Sequence, residues 1–481
     1  MTQLNHPTPI RIDTRESAHS GFLQDYPAFA STRVLDRLRA TEYSRLDRFG
    51  HVYLDYTGGA LYAESQIRDH QALLADGVFG NPHSKNLTSL DATERVERAR
   101  AHVLRFFNAP PDDYEAIFTA NATGALRLVG EAYPFRPGGC YALTHDNHNS
   151  VNGVREYARA KGATVAYIPI RPTDLRADST EVAAALRARP SGKPRLFAFP
   201  AQSNYTGVQH PLEWIAEAHK NGWDVLLDAA AFVPTNRLDV ARWQPDFVSL
   251  SFYKIFGYPT GIGCLIARKS ALEKLLRPWY SGGTITFSSV VAQDHYLTPG
   301  VAGFEDGTVN YLSLPAVEIG LRHIESIGID VIRTRVQCLT GWLLDRLLSL
   351  HHSNGRPLVA LYGPETMERR GGTIQVNYLD RDGVPYDCYQ VEQLANAQRI
   401  SLRAGCHCNP GARETSLGLS RDALAACFKD KDSQTYDQFL RGLEGKTSGA
   451  VRASLGLATT FDDVYTYARF AESFIDTRNR A

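Results

Sequence analysis

Between about Tyr53 and about Pro315, short apolar runs alternate with segments of helical periodicity, and no other feature constrains the fold more. The runs are bounded by Gly, Pro and Asp, as expected for strands buried in a parallel sheet. Strands that alternate with helices predict an α/β fold with a mainly parallel sheet of the seven-stranded type. The predicted strands are AIFTA (116–120), GATVAYIPI (162–170), RLFAFP (195–200), WDVLLDAAA (223–231), DFVSLS (246–251) and GIGCLIA (261–267).

After about residue 320 the pattern changes and predicts a second, smaller α+β domain. Long helical segments over 316–326 and 331–350 precede the strand-like TIQVNYL (373–379). Residues 413–450 are charged and weakly patterned, which indicates an insertion in this domain. Residues 1–50 are predicted to form an N-terminal arm and part of the small domain, and the first 20 of them to be a loose arm. The predicted ranges of the large and small domains are 51–320 and 321–481.

Composition excludes several classes of partner. Lys plus Arg and Asp plus Glu both number 52, so we expect no attraction to nucleic acid or to an anionic membrane. No apolar run approaches the roughly 18 residues that cross a bilayer. The N-terminal MTQLNHPTPIRIDTRES lacks the apolar segment of a secretory signal. Seven cysteines in 481 residues favour reduced thiols over a disulfide framework, so we expect a cytoplasmic protein.

The stretch SLRAGCHCNPGA (401–412) places Cys406 and Cys408 on either side of His407 in a basic, glycine-bounded segment. A zinc site needs about four ligands, and only these three cluster, at cramped spacing. A Cys-x-Cys disulfide would be strained. We therefore expect no metal, and a nucleophilic cysteine or a structural loop are the interpretations that stay open.

A lysine and an aspartate follow two of the predicted strands. Lys254, in SLSFYKIFGYPTGIG (249–263), is either a solvated loop lysine or a desolvated amine that can form a Schiff base. Asp228, in LLDAAA, either caps the next helix or holds the pyridinium proton of pyridoxal 5'-phosphate (PLP). Upstream, TANATGALRLV (119–129) predicts a strand and a helix start whose backbone N–H groups bind phosphate.

The order of these segments resembles the class V aminotransferase and cysteine desulfurase family of fold-type I PLP enzymes. The resemblance spans roughly residues 50–475 and is greatest to the PLP-dependent N-terminal part of molybdenum cofactor sulfurases. The stretches that carry it are YLDYTGGALY (53–62), NPHS (81–84), TANATGAL (119–126), DNHNSV (146–151), SFYKIFGYPTG (251–261), FEDGTVNY (304–311), RAGCHCNPGA (403–412) and GAVRASLG (449–456).

The resemblance implies roles around the cofactor. It identifies Lys254 as the Schiff-base lysine, Asp228 as the partner of the pyridine nitrogen, and His148 as the catalytic residue stacked on the ring. A structural loop histidine is the alternative for His148. The other implied cofactor contacts are Asn204 near the phenolic oxygen, and Thr123, Gly124 and Ser251 around the phosphate.

Two further motifs imply a partner subunit and a substrate site. In this family a Gly-Thr pair reaches the phosphate from the other subunit, and Gly307-Thr308 matches it, which implies a homodimer. The alternative for Thr308 is a simple turn residue. Arg452, in VRASLG, matches the arginine that binds the substrate α-carboxylate, as a planar guanidinium can. A surface salt bridge is the alternative for Arg452, and Arg403 is expected to join it in binding substrate.

Cys408 matches the family cysteine that attacks the substrate sulfur and becomes a persulfide. We expect Arg403 and His407 to be nearby cationic or donor groups, and the flanking Gly405 and Asn409-Pro410-Gly411 (409–411) to keep the loop mobile. The resemblance implies removal of sulfur from L-cysteine, which leaves alanine, and transfer of that sulfur to an acceptor protein. Whether Cys406 assists, relays sulfur or is merely adjacent stays open.

Some positions depart from the family pattern. Tyr253 stands where many relatives have His, Ala231 where many desulfurases have Gln, and Arg413 where sulfurases often have another Cys. The sequence ends at Ala481, whereas full sulfurases continue into a domain that engages the pterin cofactor. Direct sulfuration of molybdenum cofactor is therefore not expected, unless a separate protein supplies that domain. The alternative activities are those of a carbon–sulfur lyase, aminotransferase or epimerase acting on a specialised amino acid. A scaffold without catalysis is a third hypothesis.

Overall fold

The computed structural model describes residues 14–188, 192–277, 282–428 and 449–479. The strands are numbered here in chain order. They are β1 (Val52–Tyr53), β2 (Tyr114–Thr119), β3 (Cys140–Thr144), β4 (Thr164–Ile168), β5 (Arg195–Pro200), β6 (Asp224–Asp228), β7 (Phe247–Ser251), β8 (Gly263–Arg268), β9 (Ile285–Ser289), β10 (Asp294–Leu297), β11 (Val359–Tyr362), β12 (Thr373–Tyr378), β13 (Ile400–Ser401), β14 (Arg403–Gly405) and β15 (Ala450–Ser454).

A seven-stranded sheet in the order β2-β8-β7-β6-β5-β3-β4 forms the centre of the molecule. The pairs from β7 to β4 are parallel, and β8 runs antiparallel to both β2 and β7. Every residue of β3, β5 and β7 is buried, as is typical of strands covered on both faces. The predicted α/β fold with a mainly parallel seven-stranded sheet is therefore confirmed.

A smaller antiparallel sheet in the order β11-β12-β15-β14 lies later in the chain. Strand β1 pairs in parallel with β13, and a one-residue bridge joins Asp55 to Ser454. Asp55 therefore lies beside the small sheet, although its sequence position belongs to the predicted large-domain range. The division of the chain into domains stays a prediction. The strands β9 and β10 form a separate antiparallel hairpin.

Helices precede, alternate with and follow the central strands. The α-helices are Arg15–Asp25, Val34–Glu42, Arg45–Arg48, Glu64–Ala75, Leu87–Phe106, Ala122–Ala132, Asn149–Asn152, Val154–Ala160, Ser179–Arg187, Trp214–Lys220, Val240–Trp243, Phe252–Phe256, Lys269–Leu272, Pro315–Ile327, Ile329–Ser349, Cys388–Ala397, Pro410–Ser416, Arg421–Phe428 and Phe461–Glu472. Short 3-10 helices are Pro27–Thr32 and Val301–Gly303.

The helix Pro315–Ile327 shows how the sequence sets its own bounds. Its proline stands in the first turn, where the missing N–H group removes no intrahelical hydrogen bond. Gly328 follows its end with φ +91°, a conformation that glycine adopts without steric cost. The helix packs against Leu87–Phe106. Its buried apolar residues recur at helical spacing: Val317, Leu321 and Ile324.

The expectation of a loose arm over residues 1–20 is wrong where the structure describes it. A helix runs from Arg15 to Asp25, and the side chain of Thr14 accepts a hydrogen bond at its start. Phe22 is fully buried and packs against Trp342 and Phe461. This long-range aromatic packing holds the segment, and no local sequence pattern reveals it. Residues 1–13 lie outside the described residues.

The predicted insertion over 413–450 is described only in part. Its first residues complete the helix Pro410–Ser416, a second helix follows at Arg421–Phe428, and Ala450 already belongs to β15. Residues 429–448 lie outside the described residues. Within the described ranges, no helix combines the length and apolar character that crossing a membrane requires.

Candidate active site

Several predicted site residues meet where the parallel strands end. Asp228 is the last residue of β6, and Ser251 is the last residue of β7. Lys254 lies in the short helix Phe252–Phe256 that follows β7 directly. In open α/β sheets, ligands bind at the carboxyl ends of the strands. We call Thr123, His148, Asp228, Ser251 and Lys254 the strand-end cluster.

Lys254 is an amine held away from water. Burial lowers its pKa from the ordinary lysine value, and the positive charges of Arg452 and Arg403 lower the pKa further. Negative charge on Asp228 and Cys408 acts in the opposite direction. Within the described part of the chain, its amine has no hydrogen-bond or ion-pair partner. A neutral, nucleophilic amine is the species that these surroundings favour.

Asp228 keeps one carboxylate oxygen free for a ligand. Its Oδ1 accepts hydrogen bonds from the backbone N–H of Ala230 at 3.1 Å and from the hydroxyl of Ser249 at 3.3 Å. No described residue donates to Oδ2. The residue is 8% exposed, so an anionic oxygen there calls for a cationic or N–H partner.

His148 is held by the loop after β3. Its Nδ1 accepts the backbone N–H of Ser150 at 3.1 Å, at the start of the helix Asn149–Asn152. Burial lowers its pKa, the negative charge of Asp228 raises it, and the positive charges of Lys254 and Arg452 lower it. The net direction is downward, so at neutral pH the imidazole is uncharged.

Hydroxyl groups surround the first turn of the helix Ala122–Ala132. Ser251 Oγ accepts the N–H of Ala122 at 2.8 Å, which leaves the hydroxyl proton for a ligand. Thr123 Oγ1 and Ser150 Oγ lie 2.7 Å apart. The N–H of Gly124 donates to the side-chain oxygen of the helix cap Asn121 at 2.9 Å. The predicted phosphate residues Thr123 and Ser251 are therefore brought together, and Gly124 donates to the cap instead.

Gly307 and Thr308 line a cleft with Thr119, Ala120 and Gly124 of the same chain. Thr308 is exposed, and its Oγ1 accepts a hydrogen bond from the side-chain amide of Asn81 at 3.4 Å. The pair is thus accessible on the side of the molecule where the helix Ala122–Ala132 begins.

Cys406–Asn409 forms a tight turn, which we call the cysteine turn. The N–H of Asn409 donates to the carbonyl of Cys406 at 3.0 Å, and His407 and Cys408 have φ +53° and +55°. Two consecutive left-handed residues are the mark of a type I′ turn, which Gly, Asn and Asp normally form. Cys408 is exposed and Cys406 half-buried, and both are free thiols. Such strain persists only where surrounding contacts enforce it.

Three asparagines enforce the turn. Asn409 donates to the carbonyl of Asp146 at 2.7 Å and to Oδ1 of Asn204 at 3.0 Å, and its own Oδ1 accepts the N–H of Ala412 at 3.2 Å. The side chain of Asn204 donates to the carbonyl of His407 at 2.7 Å. The backbone N–H of Asn149 donates to the carbonyl of Cys408 at 2.7 Å.

These contacts correct one expectation and redirect another. The residues after Cys408 do not leave the loop free, because Asn409 is fully buried and Pro410 begins a helix. The side chain of Asn204 joins the cysteine turn through both its amide nitrogen and its oxygen. Its predicted contact with the cofactor stays a prediction.

Of the two roles expected for His407, a cationic group or a donor group, the cationic role is wrong. Burial holds its pKa well below the ordinary histidine value, and the charges of Arg452 and Arg403 act in the same direction. Its Nε2 lies 3.0 Å from the side-chain amide of Gln375. The neutral ring accepts this N–H and packs against Tyr205.

The two predicted substrate arginines meet on one carboxylate. Arg403 donates from Nε and Nη2 to Asp55 at 2.6–3.1 Å. Arg452 donates to Asp55 Oδ1 at 3.0 Å and to the carbonyl of Asn204 at 2.9 Å. Its Nε is buried and has no partner among the described residues. The side chain of Arg452 is 3% exposed, so a surface salt bridge is excluded for it.

Sequence reasoning missed the residues that position the others. Asp55, Gln375 and Asn409 each contact a predicted site residue, and Asp146 also forms a fully buried pair with His210 at 2.8 Å. All lie in the family stretches or in predicted strands, yet none has a spacing pattern of its own. Asp55, within YLDYTGGALY, could have been found because a carboxylate at a strand end is costly to bury unpaired.

The chain is similar in sequence to molybdenum cofactor sulfurases. Residues 52–466 match the aminotransferase class V family. Molybdenum cofactor sulfurase of Solanum lycopersicum is 36% identical over 499 residues, which cover 95% of this chain and 60% of the relative. Molybdenum cofactor sulfurase of Bos taurus is 38% identical over 461 residues, covering 91% of this chain and 51% of the relative. The chain thus spans 51–60% of the length of these relatives.

Solved structures show the same fold. The apo cysteine desulfurase of Thermococcus onnurineus NA1 superposes with a TM-score of 0.75 at 22% identity, covering 92% of this chain and 98% of that chain. The cysteine desulfurase CsdA of Escherichia coli superposes with a TM-score of 0.68 at 21% identity, covering 91% and 98%. The predicted fold-type I architecture is confirmed by these superpositions.

Proposed function

Because the chain belongs to the class V aminotransferase family, we propose that it is a PLP-dependent enzyme that removes sulfur from L-cysteine. The products are alanine and a persulfide on Cys408. The observation that carries this proposal is the cysteine turn, which presents an exposed thiol and is tied to the loops of His148 and Asn204. Transamination and epimerisation require no thiol at this place.

The strand-end cluster fits PLP. Lys254 offers an unpartnered, desolvated amine, and Asp228 offers a buried carboxylate oxygen with no described donor. The hydroxyls of Thr123 and Ser251 and the N-terminus of the helix Ala122–Ala132 suit a phosphate. When bound, PLP supplies an electron sink for the bonds at the substrate Cα.

Each residue of the cluster then has a defined task. Lys254 accepts the proton at the substrate Cα, because burial favours its neutral form. Asp228 would hold a proton at the pyridine nitrogen through its negative charge. The pKa of His148 is lowered, so its ring is uncharged at neutral pH and would suit contact with the cofactor ring. Arg452 orients the substrate by binding its carboxylate.

Cys408 performs the sulfur transfer as a thiolate. Its Sγ attacks the sulfur of L-cysteine, so that an S–S bond forms and the substrate Cβ–Sγ bond breaks. The electron pair of the broken bond stays on Cβ, and protonation of Cβ gives alanine. Because Cys408 is exposed, the terminal sulfur of its persulfide is accessible to an acceptor.

We extend the proposal to partners. The Gly307-Thr308 pair, of which Thr308 is exposed, supports a homodimer in which the partner subunit completes the phosphate site. The similarity to molybdenum cofactor sulfurases supports a sulfur-accepting protein as the next partner. The described cysteines are all free thiols, which supports a cytoplasmic location.

The test uses the purified protein with PLP and L-cysteine. We expect alanine and protein-bound persulfide in equal amounts. Cys408→Ser should abolish persulfide and retain the visible absorbance of the lysine-bound cofactor, because the serine hydroxyl is not a sulfur nucleophile here. Pyruvate and sulfide as products, or persulfide in the serine variant, would contradict the proposal and favour a lyase.

Cys406→Ser is the matched control, since Cys406 lies in the same turn but outside the left-handed positions. If only one thiol receives sulfur, this variant should form persulfide at the rate of the unmodified protein. A loss equal to that of Cys408→Ser would assign the sulfur step to both thiols.

A further inference from the structure

Asp55 has a position that the proposed reaction does not explain. Its carboxylate lies between the two guanidinium groups expected to bind substrate. Three hydrogen bonds join it to Arg403, and a single one at 3.0 Å joins it to Arg452. Asp55 is therefore paired primarily with Arg403 and only secondarily with Arg452.

The arrangement is built into the fold. The side chain of Asp55 is 12% exposed and that of Arg452 is 3% exposed, whereas that of Arg403 is 49% exposed. At Gly58, a Cβ atom would lie 2.5 Å from Nη2 of Arg403 and 2.6 Å from Oδ2 of Asp55. Any larger residue at position 58 would displace the Asp55–Arg403 pair.

The cluster carries an uncompensated positive charge. Two guanidinium groups share one carboxylate, and in the part of the chain that the structure describes the buried Nε of Arg452 has no partner. Glu392 also acts on Arg403, but it accepts the N–H of Ala404 and forms no ion pair with either arginine among the described residues. Burying an unpaired charge is costly, so a ligand with one negative charge would compensate the cluster.

We propose that Asp55 is a specificity-determining residue that restricts the site to amino acids with one carboxylate. Asp55 and Arg403 neutralise each other, and Arg452 keeps its charge for the substrate α-carboxylate. Arg403 thus acts on substrate through Asp55 rather than by direct contact, unlike its expected role. This inference rests on the proposed function only in taking an α-amino acid as ligand.

This assignment is tested by a double-mutant cycle on Asp55 and Arg403, which we call the charge cycle. Asp55→Asn leaves two uncompensated guanidinium groups and should favour a dianionic ligand. Arg403→Gln leaves Asp55 to pair with Arg452 and should weaken binding of any α-carboxylate. The double variant restores a single free guanidinium, so that Asp55→Asn should strengthen binding in the Arg403→Gln background.

The measurement is calorimetric titration of the PLP-loaded protein with L-alanine and with L-aspartate. In Asp55→Asn, we expect the affinity for L-aspartate to rise relative to the affinity for L-alanine by about tenfold or more. In Arg403→Gln, we expect L-alanine to bind about tenfold more weakly, and the double variant should recover most of that loss. An unchanged ratio in Asp55→Asn, or no recovery in the double variant, would overturn the proposal.

Two further measurements keep the result decisive. If Asp55→Asn does not fold, Arg403→Lys is compared with Arg403→Gln: the proposal requires the charged lysine to bind L-alanine more tightly, and equal weakening overturns it. Binding needs no sulfur transfer, so a failure to form alanine or persulfide from L-cysteine would contradict the proposed function and leave the charge cycle measurable.

Discussion

The strand-end cluster and the cysteine turn achieve reactivity in opposite ways. Asp228 and Ser251 end two buried strands, and Lys254 lies in the short helix that follows the second of them. Burial lowers the pKa of Lys254 and so favours its nucleophilic form. Cys408 is exposed, and its backbone adopts a left-handed conformation that residues other than Gly, Asn or Asp rarely adopt. Secondary structure positions the strand-end cluster. Tertiary contacts position the cysteine turn, against the backbone preference of its own residues.

The difference predicts where each site is vulnerable. A strand end keeps its position when one side chain is truncated, because the sheet hydrogen bonds remain. A strained turn depends on the few contacts that enforce it, here from Asn409, Asn204 and Asn149. Truncations near Cys408 should therefore cost more activity than truncations beside Lys254 that leave Lys254 itself intact.

Asn409→Ala should give the largest effect. It removes three buried side-chain hydrogen bonds that hold Cys408 in place. We expect the rate of persulfide formation to fall about a hundredfold, or about 2.7 kcal/mol in barrier, with unchanged PLP affinity. Single-turnover formation of persulfide measures the rate, and absorbance titration measures the affinity.

Asn396→Ala is the control for that experiment, since Asn396 is exposed near the end of the helix Cys388–Ala397. It should change neither quantity. If Asn409→Ala retained the full rate of persulfide formation, the turn would not depend on its anchors, and the contrast between the two regions would disappear.

Ser251→Ala should give a smaller effect of the opposite kind. The change removes the hydroxyl that accepts the N–H of Ala122 and faces the proposed phosphate site. One hydrogen bond to a charged group is lost, so we expect PLP to bind about tenfold more weakly. At saturating PLP, the rate of persulfide formation should match that of the unmodified protein. A reduced rate at saturation would show that this side of the site also positions the chemistry.

The same contrast explains which features the sequence predicts. The runs RLFAFP and DFVSLS match β5 and β7 within a residue, since buried strands produce continuous apolar runs. The sequence alone therefore places Asp228 correctly at a strand end and Lys254 correctly just after a strand. The left-handed backbone of Cys408 and its anchors Asn409 and Asp146 depend on contacts between segments more than 200 residues apart, and no local pattern encodes them.

The smallest expected effect is on the pH dependence of stability, and it is tested with one histidine from each region. Burial lowers the pKa of both His407 and His148, and holds that of His407 well below the ordinary value. The unfolded chain binds a proton at His407 below about pH 6.5, whereas the folded chain does not, so stability is lost as pH falls through that value. Between pH 7 and pH 6, His407 should account for about 0.7 kcal/mol of this loss. His407→Gln should remove that part of the pH dependence of chemical denaturation, and His148→Gln should remove no more. Should His407→Gln leave the pH dependence unchanged, His407 would be protonated in the folded turn.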